Sequence, residues 1–387
     1  MFYFPIKYKF LFILYLLLFS SCQIVRYVVY NFADIKDYKI FPYRKLNASP
    51  TPFQFYTAQH PKYPKQTNNV LFDKFLEDNK TVAFLIIRND TILYEKYFNS
   101  YSKESIIPSF SMAKSITSIL IGCAIDDGLI HSIDEPITNY IPELKSKGFD
   151  KVKIKHLLQM TSGLKFKEEY FNPFGDVAAF YYGQNLRKKT LQLKLKNEPG
   201  KQFEYVSGNT QLLGLVLERS LKGKTIQLTG VPTSQQLVLE RSLKGKTITE
   251  YLQEKLWTPL GMEYDATWSI DQKNNGIEKT FCCLNARARD FAKIGRLYLN
   301  KGHWNGQQIV SKQWVEESTK LDKSEGSASY YQYQWWLPTP NQDFLAEGFL
   351  GQYIYVHPTK KLIIVRLGKK EGKVNWWKVF TSLAEEY

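Results

Sequence analysis

Apolar and polar positions fall into regular patterns from about residue 70 onward. Residues 82–88 (VAFLIIR) and 91–97 (TILYEKY) are two β-rich runs on either side of Asn89-Asp90, which predicts a β-hairpin. Residues 111–126 are apolar on most sides, predicting a buried helix that stops at Gly128. Prolines at 136, 142, 173, 199 and 259 punctuate a stretch of helices and loops between residues 134 and 260. Near the end, residues 352–358 and 361–367 are again β-rich, and 376–386 carry a helical pattern. Strands at both ends with helices between them predict an α/β fold: one antiparallel sheet built from the two termini, flanked by helices, with an inserted helical lobe.

One repeat interrupts this pattern. LVLERSLKGKTI occurs at 215–226 and again at 237–248, an offset of 22 residues. Two copies do not build a solenoid, and a tandem duplication explains them. The Gly-Lys-Thr in each copy lacks the glycine a phosphate-binding loop needs five residues earlier, where Glu218 and Glu240 stand instead. The first copy is expected to keep the helix following Tyr205, with residues 227–236 and part of the second copy forming a surface excursion.

The first thirty residues have another character. Lys7 and Lys9 precede the apolar run 10–19, and Ser20-Ser21-Cys22 follows. This is the layout of a secretory signal peptide. With its cysteine it resembles a bacterial lipoprotein signal, in which Cys22 would be lipidated. An ordinary signal peptide or an uncleaved anchor over residues 10–30 are the alternatives, and all three place the remainder outside the cytoplasm, in the cell envelope. The expected organisation is a signal at 1–22, a proline-rich tether and lead-in at 23–68, and one domain over 69–387, with the duplication at 215–248.

Composition agrees with a folded enzyme-sized chain: 44% of 387 residues are hydrophobic and 23% charged. The net charge of +15 invites a nucleic-acid partner. Only 10 of the 52 basic residues are arginine, however, and they are scattered, so no nucleic-acid partner is expected. Four cysteines are too few for a disulfide framework, and the adjacent Cys282 and Cys283 are expected to be poorly placed to bridge each other. The five histidines show no metal-ligand spacing, so neither metal nor organic cofactor is expected.

The chemistry begins at Ser111-Met112-Ala113-Lys114. Ser and Lys at i and i+3 share a helix face, so the amine can reach the hydroxyl. A lysine buried in that helix has its pKa lowered and can accept the serine proton, while the helix N-terminus offers N–H groups to a developing oxyanion. Further on stand HLLQMTSGL (156–164), PGKQFEYVSGNTQLLG (199–214), LWTPLGME (256–263), ARARDFAKIGRLYLNKG (286–302) and GQYIYVHP (351–358). In this order they resemble the penicillin-recognising serine hydrolases, specifically the class C β-lactamase-like branch, which also holds esterases, DD-peptidases and 6-aminohexanoate-dimer hydrolases. The resemblance runs from about residue 70 to 385.

It implies that Ser111 is the acylated nucleophile, Lys114 its proton acceptor or relay, and Tyr205 a base in acylation and activator of water in deacylation. Backbone N–H groups of Ser111 and Phe349 would form the oxyanion hole. Ser207 or Asn209 would position Lys114 in place of the family's asparagine two residues after the tyrosine. Gly348, Glu347 and Tyr181 are substrate-side candidates, and Asp176 and Tyr182 border the same region. His156 reads as a residue orienting its loop. Where the family carries a cation, this chain has Ala346, followed by Glu347, which disfavours anionic substrates. The expected activity is cleavage of small esters or amides through an acyl-enzyme at Ser111, with the membrane engaged through a lipid or N-terminal anchor and no obligate protein partner. A non-catalytic envelope-binding protein of the same fold, a DD-peptidase and a weak β-lactamase are the alternatives.

Overall fold

The computed structural model describes residues 26–27, 29–30, 32–60, 62–64, 69–222 and 245–387. The signal and Cys22 lie outside them, as does the predicted excursion at 227–236 with most of the second repeat copy. In chain order the strands are β1 (Tyr43–Leu46), β2 (Tyr56–Thr57), β3 (Thr81–Arg88), β4 (Thr91–Tyr97), β5 (Ile107–Pro108), β6 (Ala266–Ser269), β7 (Leu284–Ala286), β8 (His303–Trp304), β9 (Gln307–Gln308), β10 (Tyr331–Gln332), β11 (Trp335–Trp336), β12 (Phe344–Gly348), β13 (Gln352–His357) and β14 (Leu362–Gly368). The helices that matter to the site are α1 (Asn69–Asp78), α2 (Met112–Asp126), α3 (Asp176–Tyr182), α4 (Ser207–Leu221), α5 (Ala288–Leu299) and α6 (Trp376–Glu386).

Eight strands form the main sheet in the order β10-β11-β12-β13-β14-β3-β4-β2, so strands from the two ends of the chain meet where β14 pairs with β3. The β3–β4 hairpin turns at Asn89 and Asp90, both at positive φ (49° and 59°), the conformation a tight two-residue hairpin demands and these side chains tolerate. One detail departs from expectation: β2 joins the far edge parallel to β4, so the sheet is not wholly antiparallel.

β3 is apolar throughout because both of its faces are covered. Ala83, Leu85 and Ile87 enter the larger core with α2 and α5, while Phe84 and Ile86 enter a second core with α1 and α6. The same alternation runs along β13 and β14. Gly295 of α5 sits against Ile363, Ile354 and Val356, where an added methyl would come within 2.9 Å of Ile363. That close approach brings α5 down onto the sheet. A second sheet, β1-β6-β7-β5, crosses the other side of the larger core.

The described part of the segment expected to be a tether, residues 32–60, is instead packed. Ile35, Phe41, Leu46 and Phe55 are all buried in the larger core, and β1 pairs with β6. The first repeat copy lies in α4 as expected, as far as Lys222. The chain resumes at Gly245 beside it, so close that a methyl at Gly245 would run into the Lys222 Cα. No helix among the described residues is long and apolar enough to cross a membrane.

Candidate active site

Ser111 caps the N-terminus of α2, directly after Phe110, which is held at φ 43°. A positive φ at a bulky residue is sparsely populated and persists only where the surroundings enforce it. Phe110 packs edge-on to the Phe349 ring, and Ser109 is fixed through its N–H to the Leu284 carbonyl (2.7 Å). One turn on, Lys114 is 1% exposed, and its Nζ lies 2.8 Å from Ser111 Oγ and 3.1 Å from the Phe281 carbonyl oxygen. Among the described residues no carboxylate forms an ion pair with it. Burial pushes its pKa down to about 8, with the Glu168 charge pulling weakly the other way. Near neutral pH this amine can therefore give up and regain a proton.

Tyr205 immediately precedes α4. Its ring centroid is 5.1 Å from Lys114 Nζ, and its ring packs on Trp336 and Tyr331. Burial and then the Glu168 charge raise its pKa, against a smaller opposing effect of the Ser111 hydroxyl. That direction runs against the role of base in acylation that the resemblance implies.

Strand β12 delivers the other wall. Gly348 lies against the start of α2: an added methyl would stand 3.2 Å from the Ser111 nitrogen and collide with the Ser109 carbonyl. Neither the Ser111 N–H nor the Phe349 N–H enters a backbone hydrogen bond elsewhere among the described residues. Arg366, fully buried, supports the turn after Phe349 by donating to the Gly351 carbonyl and stacking over Trp376 at 3.8 Å.

The structure thus brings Ser111, Lys114, Tyr205, Gly348 and Phe349 together. It does not bring Ser207 or Asn209 to Lys114. Ser207 gives both its N–H (2.7 Å) and its hydroxyl (2.6 Å) to Glu168, while the Asn209 amide accepts from Ser162 and donates to Met160 Sδ. Lys114 is held by a backbone carbonyl instead. Glu347 accepts from Trp377 Nε1 (3.0 Å) and Tyr353 (3.4 Å), and burial raises its pKa to about 7. Asp176 accepts from the Lys167 N–H, and His156 Nδ1 from the Lys153 N–H, so His156 fixes its loop.

Beside Ser111 opens an apolar cleft with about 560 Å³ of empty space, its mouth included. Phe110, Tyr170, Val177, Tyr181, Phe281 and Phe349 line it, together with Cys282. Cys282 and Cys283, expected to stay apart, are joined by a disulfide. Cys283 sits at φ 71°, and this left-handed turn is what allows neighbouring sulfurs to meet. Glu168, the Phe281 carbonyl and Arg366 had no sequence signature, since a lone loop carboxylate, a main-chain oxygen and a strand arginine look ordinary until folding places them.

A family model described as Beta-lactamase matches residues 70–228. The 6-aminohexanoate-dimer hydrolase of Paenarthrobacter ureafaciens is 27% identical over 314 residues, covering 76% of this chain and 73% of that one. Among solved structures, a Bacillus anthracis protein provisionally assigned as a 6-aminohexanoate-dimer hydrolase superposes with a TM-score of 0.75 at 24% identity, over 93% of this chain and 94% of that one. A class C β-lactamase superposes with a TM-score of 0.51 at 16% identity, over 82% and 93%. Together these matches show a chain that resembles the Beta-lactamase family over residues 70–228 and shares the fold of class C β-lactamases and 6-aminohexanoate-dimer hydrolases.

Proposed function

We propose that the protein cleaves neutral or cationic esters or amides through an acyl-enzyme at Ser111. The observation that carries this reading is the buried Lys114 amine 2.8 Å from the Ser111 hydroxyl, with its pKa lowered into the working range. Neutral Lys114 takes the Ser111 proton as Oγ attacks the carbonyl carbon, and the carbonyl oxygen becomes an oxyanion facing the Ser111 and Phe349 amides. As the C–O or C–N bond breaks, the proton passes from Lys114 through the neutral phenol of Tyr205 to the leaving group. Water then attacks the ester by the reverse path and frees Ser111. A tyrosine held protonated suits donation better than abstraction.

Ala346 and Glu347 support the choice of substrate. No cation stands on β12 to hold a substrate carboxylate, and Glu347 on that strand, with a pKa near 7, carries partial negative charge instead. The relative named as a 6-aminohexanoate-dimer hydrolase supports amides among the candidates. We also propose export to the cell envelope with attachment through Cys22. The lipoprotein-like start supports this, as does the Cys282–Cys283 bridge, because disulfides persist outside the reducing cytosol. Turnover of an ester and amide panel by wild type and Ser111→Ala tests the reading. Hydrolysis lost in the variant upholds it, and hydrolysis surviving at the same rate refutes it. β-Lactams, which carry a carboxylate, are expected to be poor substrates.

A further inference from the structure

The cleft beside Ser111 is not closed by the hydrolase lobe alone. Tyr27, Phe32 and Ala33, all from the segment before β1, line it together with Val177 and Phe349. Phe32 meets Phe171 edge-on at 5.6 Å, joining the lead-in to the loop before α3, and Tyr27 meets Tyr182 in the same way at 5.6 Å.

This wall is fastened rather than draped. The buried carboxylate of Asp37 accepts the Tyr181 hydroxyl at 2.8 Å. Phe41 packs on Tyr181 at 5.1 Å and lies under the Nζ of buried Lys279, which itself donates to the carbonyls of Phe180 and Tyr181 in α3. Arg26 donates to the Tyr182 carbonyl at 3.3 Å. Each fastening ties the lead-in to the stretch of α3 that lines the cleft. The surface left at the mouth is apolar too: Phe32 is 42% exposed and Phe171 72%. Exposed aromatics around an apolar cleft are surface that a ligand of the same character would cover.

We propose that Tyr27, Phe32 and Ala33 form a specificity wall of the substrate cleft, with Tyr27 and Phe32 selecting substrates whose acyl part is an uncharged apolar chain or ring. This deepens the acyl-transfer reading by naming the substrate class. The wall itself can be tested without turnover. Full-length Ser111→Ala protein is titrated calorimetrically with 4-phenylbutanamide and with acetamide. The proposal expects 4-phenylbutanamide to bind at least tenfold more tightly. It also expects Phe32→Ala, at an exposed position that does not threaten folding, to weaken that binding at least fivefold while leaving acetamide unchanged. Tyr27→Leu in the same background is expected to act in the same direction. Equal affinity for the two amides, or unchanged 4-phenylbutanamide affinity in both variants, overturns the wall. Failure of the hydrolase reading would appear elsewhere, as undiminished turnover in Ser111→Ala.

Discussion

Lys114 Nζ stands 2.8 Å from Ser111 Oγ, and its other hydrogen-bond partner is the Phe281 main-chain oxygen rather than a carboxylate. A buried amine without an anion loses much of its preference for the charged form. Lys114→Met is therefore expected to lower kcat by about 10²–10⁴, the range removed with a general base. Its thermal unfolding temperature is expected not to fall, because the variant removes a desolvated amine. Steady-state kinetics and a melting curve on the same preparation check both halves.

The proton on Lys114 sets the pH dependence. Since only the neutral amine accepts the Ser111 proton, activity is expected to level off above about pH 8 and to fall roughly tenfold per unit well below it. Glu168 raises the Lys114 pKa through its negative charge. Glu168→Gln, which keeps an acceptor for Ser207, is accordingly expected to move the acidic limb to lower pH. A pH–rate profile of the two proteins decides the sign.

Stability follows the same linkage with its own sign. A lysine whose folded pKa is about 8 and whose model value is 10.5 binds fewer protons folded than unfolded between those values. Its unfavourable contribution is fully present below pH 8 and is relieved as pH rises toward 10.5. Denaturant titrations are expected to show Lys114→Met gaining on wild type more at pH 7 than at pH 10.

The duplicated segment makes a clean excision possible. Residues 223–244 number 22, the same as the repeat offset, and removing them joins Lys222 to Gly245 and restores a single LVLERSLKGKTI. The close approach of Gly245 to Lys222 leaves the joint about one residue apart. The deletion is expected to fold, to change stability by about 1 kcal/mol or less, and to keep kcat within about twofold. Circular dichroism with an ester assay is sufficient to check it.

Gly348 measures how closely β12 must approach the nucleophile. A methyl there meets the Ser109 carbonyl and the Ser111 nitrogen, so Gly348→Ala is expected to push Phe349 out of line. Loss of one oxyanion donor corresponds to about a hundredfold in kcat. KM is expected to change much less, which separates this effect from damage to the cleft.

Elements with strong local patterns were legible in the sequence. The Asn89-Asp90 hairpin, α2, β13, β14 and α6 all declare themselves through periodicity or turn chemistry, and Ser111, Lys114 and Tyr205 stand out as ordered motifs. Contacts distant along the chain were not legible. Lys114 meets a carbonyl 167 residues away, Ser207 meets Glu168 39 residues earlier, and Asp37 reaches Tyr181 across 144 residues. The lead-in looked like a tether because prolines and polar residues hide the spacing of Ile35, Phe41, Leu46 and Phe55. The Cys282–Cys283 bridge depends on a backbone turn at Cys283 that residue identities alone do not announce.

The most direct test of an activated Ser111 is its rate of phosphonylation by a fluorophosphonate across pH, followed by intact-mass spectrometry with peptide mapping, in wild type, Lys114→Met and Ser111→Ala. The account predicts one stoichiometric adduct on Ser111, forming at a rate that rises to a plateau near pH 8, slowed at least a hundredfold in Lys114→Met and absent from Ser111→Ala. A folded wild-type protein that gains no adduct, or gains it elsewhere, would contradict the hydrolase reading and favour a binding protein built on the same fold.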